Sequence, residues 1–223
     1  FDIAKHRKSA VIMIPDQTRA IPLFLLLPLI VEQLVEAGMS RKNIRFLVGL
    51  GTHRPMTQEE LKEHVGEEIF CQYEVLNHEW WNSNQLVNIG VTENGIPIEV
   101  NKVVVNAELR LAVGTVKPHR VAGWSGGAKM IQPGVSGLLT TGYTHWNAAQ
   151  YRVGEILGEE ENPIRKEMED IAKMVELNFM VNCVLNGHNR LVGVFAGNYV
   201  AAHRTCASLD RPYYTFAITE LAD

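Results

Sequence analysis

Apolar and polar positions along this chain fall into two kinds of run. Residues 9–14, 44–50 and 109–113 are short and almost uninterruptedly apolar. Runs of that length suit strands buried on both faces. Between them lie longer segments with helical spacing. Residues 23–37 predict a helix that Gly38 ends. Thr57 with Glu60 three residues later forms a capping box that opens a short helix towards Val65. Helices are also predicted over 137–151, over 163–175 and from about Tyr199 onward. Two hairpins are expected. Residues 85–91 and 96–100 flank Glu93-Asn94-Gly95, and residues 178–185 and 191–195 flank Gly187-His188-Asn189. Residues 213–218 read as a closing strand.

Strands alternating with helices predict an α/β fold, a mostly parallel sheet with helices on both faces in the Rossmann manner, plus hairpin insertions. Residues 1–209 form one catalytic and cofactor-binding domain on this reading, and residues 210–223 stand apart from it. Ligands of such sheets bind beyond the carboxyl ends of the strands. The segments after three buried strands carry Asp16 and Arg19, His53 and Arg54, and His119 and Lys129, so these side chains are expected to meet in one crevice.

Composition removes several classes of partner. A net charge of -4 over 223 residues calls for neither nucleic acid nor an anionic membrane surface. The longest apolar stretch, 21–35, is broken by Pro22, Pro28 and Glu32 and is too short to span a bilayer. Cys71, Cys183 and Cys206 lie far apart, which argues against a disulfide framework and against a thiolate zinc site. No signal peptide is visible, so the expected location is cytoplasmic.

The loop 114–134 carries the densest chemistry. Gly123, Gly126 and Gly127 let backbone approach a ligand, Ser125 sits among them, and Lys129 follows. It is not a P-loop, because Ala128 precedes the lysine and Met130 follows it. His53, His119 and His145 are candidate bases or metal ligands. A three-histidine zinc hydrolase is one reading of them, although no H-E-x-x-H helix is present. A non-catalytic module that binds a nucleotide or phosphate is another. Asp16-x-Thr18-Arg19 pairs an acid with a guanidinium suited to a substrate carboxylate. His6, His64, His78, His188 and His203 fall in predicted turns or on predicted exposed faces, and Trp80, Trp81 and Trp146 read as packing residues.

Together these motifs resemble the nickel-dependent lactate racemase family. The resemblance rests on Asp16-x-Thr-Arg19, Gly51-x-His-Arg-Pro55, His119-x-x-x-Gly-Trp-Ser-Gly-Gly-x-Lys129, Pro133-Gly134 and His145, and continues more weakly through 195–203. It implies racemisation or epimerisation of a 2-hydroxy acid by reversible hydride transfer to a nickel-pincer nucleotide. That cofactor is a nickel pyridinium-3,5-bisthiocarboxylic acid mononucleotide, made by separate biosynthetic enzymes of the host. It implies His53 and His119 as the acid/base pair, Lys129 as the covalent tether, and His145 as the nickel ligand. Asp16, Thr18, Ser125, Gly126 and Gly127 would lie against the cofactor, with Arg19 against the substrate. Arg120 departs from the aromatic residue that lactate-type members carry there, and as a substrate-binding candidate it points to a larger or more acidic substrate than lactate. The family has a second lobe closing over the site, which this chain would carry at most in part.

Overall fold

The computed structural model describes residues 2–216. Its main sheet takes β1 (Ala10–Pro15), β2 (Ile44–Gly49), β3 (Glu74–Asn77), a fourth strand at Leu109–Thr115, a fifth at Phe179–Leu185 and a sixth at Leu191–Gly197. The spatial order is third, second, first, fourth, fifth, sixth. The first five run parallel, and the sixth returns antiparallel along the edge. This is the doubly wound order, with its topological switch point between the first and fourth strands.

β1 is buried throughout, and its side chains part to the two faces as the two-residue period of a strand requires. Ile12 and Ile14 join α1 (Leu23–Glu36), α2 (Gln58–Val65) and α3 (Glu67–Gln72) in one core. Val11 and Met13 join the opposite core. There they meet a hairpin of β4 (Leu86–Val91) and β5 (Pro97–Asn101), and α4 (Lys102–Asn106). Numbered in chain order, the remaining sheet strands are β6 (Leu109–Thr115), β9 (Phe179–Leu185) and β10 (Leu191–Gly197). Between β6 and β9 lie the short pair β7 (Pro118–His119) and β8 (Gly123–Trp124), then α5 (Leu138–Ala148), α6 (Val153–Ile156) and α7 (Pro163–Met174). The helix α8 (Tyr199–Asp210) follows β10.

The predicted elements form, with ends moved by a few residues. The capping box is present, with Thr57 Oγ1 accepting from the Glu60 N–H at 3.2 Å and the Glu60 carboxylate accepting from the Thr57 N–H at 2.8 Å. Gly38 adopts φ 97°, the left-handed conformation expected after a helix end. The strand predicted over 213–218 does not begin as expected. Arg211–Tyr213 form a 3-10 turn and Tyr214–Phe216 pair with no strand, while Ala217 and Ile218 lie outside the described residues.

One close approach sets the floor of the cleft at the switch point. The end of β2 and the loop before α5 touch backbone to backbone, with the Gly51 N–H donating to the Gly134 carbonyl at 2.9 Å. A Cβ on Gly134 would lie 2.2 Å from the Met130 carbonyl oxygen, and one on Gly49 would lie 3.3 Å from the Gly134 carbonyl oxygen. Gly134→Ala is therefore expected to lower stability by about 1–3 kcal/mol, read as a fall in the denaturant midpoint without a change in slope.

Candidate functional site

Three strand ends and one helix wall a cleft of about 170 Å³. After β1, Asp16 is almost fully buried. Its Oδ1 accepts from the Thr18 N–H at 3.1 Å and from the Thr18 hydroxyl at 2.5 Å. Its Oδ2 lies 2.6 Å from His53 Nδ1. A carboxylate can only accept, so His53 carries its proton on Nδ1 and leaves Nε2 open as an acceptor. His53 is further held by its N–H to the Leu50 carbonyl at 3.0 Å and by Trp80 Nε1–H to its own carbonyl at 3.0 Å.

His119, after β6, is oriented the other way. Its Nδ1 accepts from the backbone N–H groups of Val121 at 3.2 Å and Ala122 at 3.3 Å. The neutral ring therefore carries its proton on Nε2 and is a donor. Burial first, then the charges of Lys129, Arg19, Arg165 and His145, push its pKa down to about 3. Lys129 lies in the 3-10 turn Gly127–Met130, and among the described residues its amine has no hydrogen-bond acceptor. Burial, then Arg19 and Arg165, push it down to about 7, opposed by Asp16. His145, on α5, directs Nδ1 to the Thr141 carbonyl at 2.8 Å, which leaves Nε2 free.

A buried guanidinium shapes the loop that carries these groups. Arg165 Nε donates to the Ala122 carbonyl at 3.2 Å, Nη1 to the Gly126 carbonyl at 3.2 Å, and Nη2 to the Trp124 carbonyl. Burial pushes its pKa down to about 10 while Glu169 opposes that. Asn162 caps α7 and so fixes the helix that presents Arg165. From α8, His203 Nε2–H donates to the Ser125 carbonyl at 3.0 Å. From β9, Asn182 Oδ1 accepts from the Gly127 N–H at 3.2 Å.

All the residues singled out from the sequence as crevice or loop candidates line this cleft except Arg54, Gly123, Gly127 and Arg120. Gly127 faces the other way, and a Cβ there would lie 3.0 Å from the His203 ring. Arg120 is exposed. Arg54 also turns away, to Glu60 at 2.6 and 2.8 Å. Ser125 lines the cleft, but its hydroxyl is engaged within the loop. It donates to the Thr115 carbonyl at 2.8 Å and accepts from the Lys117 N–H at 2.9 Å. Among the described residues no three His, Cys, Asp or Glu side chains are grouped to hold a metal ion. The three-histidine zinc reading therefore lacks its ligand set.

Two histidines expected on the surface are core residues. His78 is fully buried, donating from Nε2 to the Ser136 carbonyl at 2.9 Å and accepting at Nδ1 from Asn101 at 3.1 Å. His203 is the second. Arg165, His203, Asn182 and Trp80 were not picked out from the sequence as site residues. A signal existed for Arg165, which falls within the apolar stripe of α7 beside Ile164 and Met168. Asn182 similarly interrupts the apolar run of β9.

The ionisable groups gather at the switch point of a doubly wound α/β sheet, where such folds bind their ligands. The family model for the lactate racemase N-terminal domain matches residues 1–155, and this chain belongs to that family. It is 33% identical over 205 residues to the lactate racemase of Thermoanaerobacterium thermosaccharolyticum and 32% identical over 207 residues to that of Lactiplantibacillus plantarum. Each alignment covers 91% of this chain but 47% and 48% of the relatives, so the chain spans about half their length. The solved lactate racemase apoprotein of the first organism superposes with a TM-score of 0.86 at 31% identity, covering 93% of this chain and 50% of that one. A Thermotoga maritima protein shares the fold with a TM-score of 0.81 at 23% identity, covering 94% of this chain and 56% of that one.

Arg165→Met removes a donor from each of three loop carbonyls while relieving one buried charge. The carbonyls of Ala122 and Gly126 keep the Trp124 and Lys129 N–H groups, so a net loss of about 1–3 kcal/mol is expected from urea melts. The histidines set the acid limit of stability. Burial holds His78 at about 4 and His119 at about 3, below the ordinary 6.5. Unfolded chains therefore bind protons that the folded chain refuses. Their contribution is fully present above pH 6.5 and is lost as pH falls through about 4 and 3. Urea midpoints should drop across that window, and His78→Gln should make the drop shallower. An unchanged slope in that variant would exclude His78 as a cause.

Proposed function

We propose that this chain is the catalytic, cofactor-binding lobe of a racemase or epimerase acting on a 2-hydroxy acid. One observation carries the reading. An acceptor imidazole and a donor imidazole, His53 and His119, share a single cleft with an arginine and an unpaired lysine. Inversion at a carbon bearing a hydroxyl needs proton management at that oxygen from two directions, and these groups provide it.

The residues also fit the nickel-pincer nucleotide. His145 offers Nε2 as a single metal donor with its ring already fixed, and the remaining donors would come from the nucleotide itself. Lys129 offers an unpartnered amine for the covalent link. Gly126 and the cations around it suit the nucleotide's phosphate, whereas both donors of Thr18, expected against the cofactor, are spent on Asp16. When bound, this group supplies a reversible hydride acceptor for the substrate's α-carbon.

The chain's own side chains orient the reactant. Arg19 takes the carboxylate. His53, steadied by Asp16, accepts the hydroxyl proton through Nε2, while His119 donates to the oxygen from the other side. For the reverse enantiomer the roles exchange, and His119 must release its two long backbone hydrogen bonds. Converting Lys129 to a neutral linkage and pairing Arg19 with a carboxylate remove two of the charges that depress His119. Loading and substrate binding therefore offset the charge part of that depression, while burial, its largest cause, persists. Loading relies on the host's cofactor-building enzymes.

Intact mass spectrometry and racemase assays on the full natural chain, made in a host that builds the cofactor, test this reading. The wild type should carry a covalent increment and stoichiometric nickel. Lys129→Ala should lose the increment, and His145→Ala should keep it with weakened nickel retention. His53→Gln and His119→Gln should each slow racemisation by about 10²–10⁴-fold. A covalent increment that survives in Lys129→Ala would refute the tether.

A further inference from the structure

Lys129 is unusual as an amine. Its side chain reaches the cleft, and among the described residues no carboxylate or carbonyl accepts from it. The cations Arg19 and Arg165 act against its charge, and Asp16 only partly offsets them. An ammonium there is doubly disfavoured, by burial and by like charge, and the free amine is the nucleophilic form. Around it stand a guanidinium for a carboxylate, an imidazole N–H for a carbonyl oxygen, and the His53–Asp16 pair to move a proton. This arrangement serves a second kind of chemistry that needs no cofactor.

We propose that the cofactor-free protein captures a 2-oxo acid as an imine on Lys129. Arg19 receives the carboxylate and His119 Nε2–H hydrogen-bonds the ketone oxygen. The neutral amine attacks the carbonyl carbon, forming a C–N bond as the carbonyl π pair moves onto oxygen. His53 carries one proton from the new ammonium to the alkoxide, which gives the neutral carbinolamine. It then relays the second nitrogen proton to the hydroxyl, which leaves as water while the nitrogen lone pair closes the C=N bond. The sum is amine plus ketone giving imine plus water, with no oxidant or reductant consumed. Because an imine hydrolyses, the adduct is a reversible cap on the same amine that the cofactor would use. The inference does not depend on the racemase reading, since it needs only the amine, the arginine and the two histidines.

The test uses the full natural chain, expressed without the cofactor's biosynthetic enzymes and shown by mass to carry no adduct. It is incubated with pyruvate and cyanoborohydride, which reduces the imine to a stable amine. One reduced pyruvyl group is expected, mapped by peptide fragmentation to Lys129. Capture should rise with pH and level off just above about 7, where this amine loses its proton, whereas an ordinary solvent-exposed lysine amine keeps gaining reactivity at higher pH. Arg19→Gln should weaken pyruvate capture by about 10- to 150-fold, while Lys173→Gln should leave it unchanged. Lys129→Gln, checked by circular dichroism for its fold, should abolish it. Peptide mapping of the wild type decides the matter even if that variant misfolds. Adducts scattered over surface lysines, or none on Lys129 in folded wild type, would overturn the inference. A cofactor-loaded Lys129 together with no pyruvate adduct in the unloaded protein would sink this inference and leave the racemase reading standing. The adduct without any cofactor loading would do the reverse.

Discussion

The buried guanidinium of Arg165 is the constraint on which the site depends. Segment 119–129 has little regular structure, with two-residue strands and a single 3-10 turn, so its own backbone cannot hold it. The carbonyls of Ala122 and Gly126 accept one backbone N–H each, from Trp124 and Lys129, and Arg165 adds a donor to both and to the Trp124 carbonyl. One planar, five-donor group answers all three from a single helix position, which an ammonium on a flexible stem could not do. His203 and Asn182 fasten the same segment from two other elements. The chemistry of His119 and Lys129 follows from that bracing, because both side chains leave a backbone that is fixed before any ligand arrives.

The bracing also imposes an electrostatic character. Arg165 sits behind the loop and Arg19 in front, and both appear among the causes that lower His119 and Lys129. A cleft rich in positive charge keeps its imidazole neutral and its lysine partly deprotonated, and it attracts carboxylate and phosphate groups. Asp16 is the counterweight. It is tied to Thr18 and His53 together, so its negative charge holds the one histidine whose Nε2 is left as an acceptor. The two histidines differ in role because one Nδ1 meets a carboxylate and the other meets two amides.

Much of this was legible in the sequence because the relevant forces are local. Apolar runs such as 9–14 declare a strand buried on both faces, and Thr57 with Glu60 declares a helix start. The strand-end rule then gathers Asp16, His53, His119 and Lys129 without any contact being known. What stayed hidden depends on tertiary partners. His78 and His203 look like surface residues until the carbonyls of Ser136 and Ser125 are placed against them. Ser125 looks like a phosphate ligand until its hydroxyl is found bridging Thr115 and Lys117. The short β3, with only four residues, carries too little pattern to be seen alone.

The parallel topology has a consequence for the order in which the site comes into being. Parallel neighbours need long crossovers, so groups that touch in the cleft are distant along the chain. His53 meets Asp16 across 37 positions, Arg165 meets Trp124 across 41, and His203 meets Ser125 across 78. During synthesis from the amino terminus, the glycine-rich segment emerges well before either of its braces. It stays unfastened until α7 has left the ribosome and is fully secured only after α8 has followed. Contacts of such long sequence separation form slowly. The nascent protein therefore passes through an interval in which its sheet is largely assembled and its reactive lysine has no fixed surroundings.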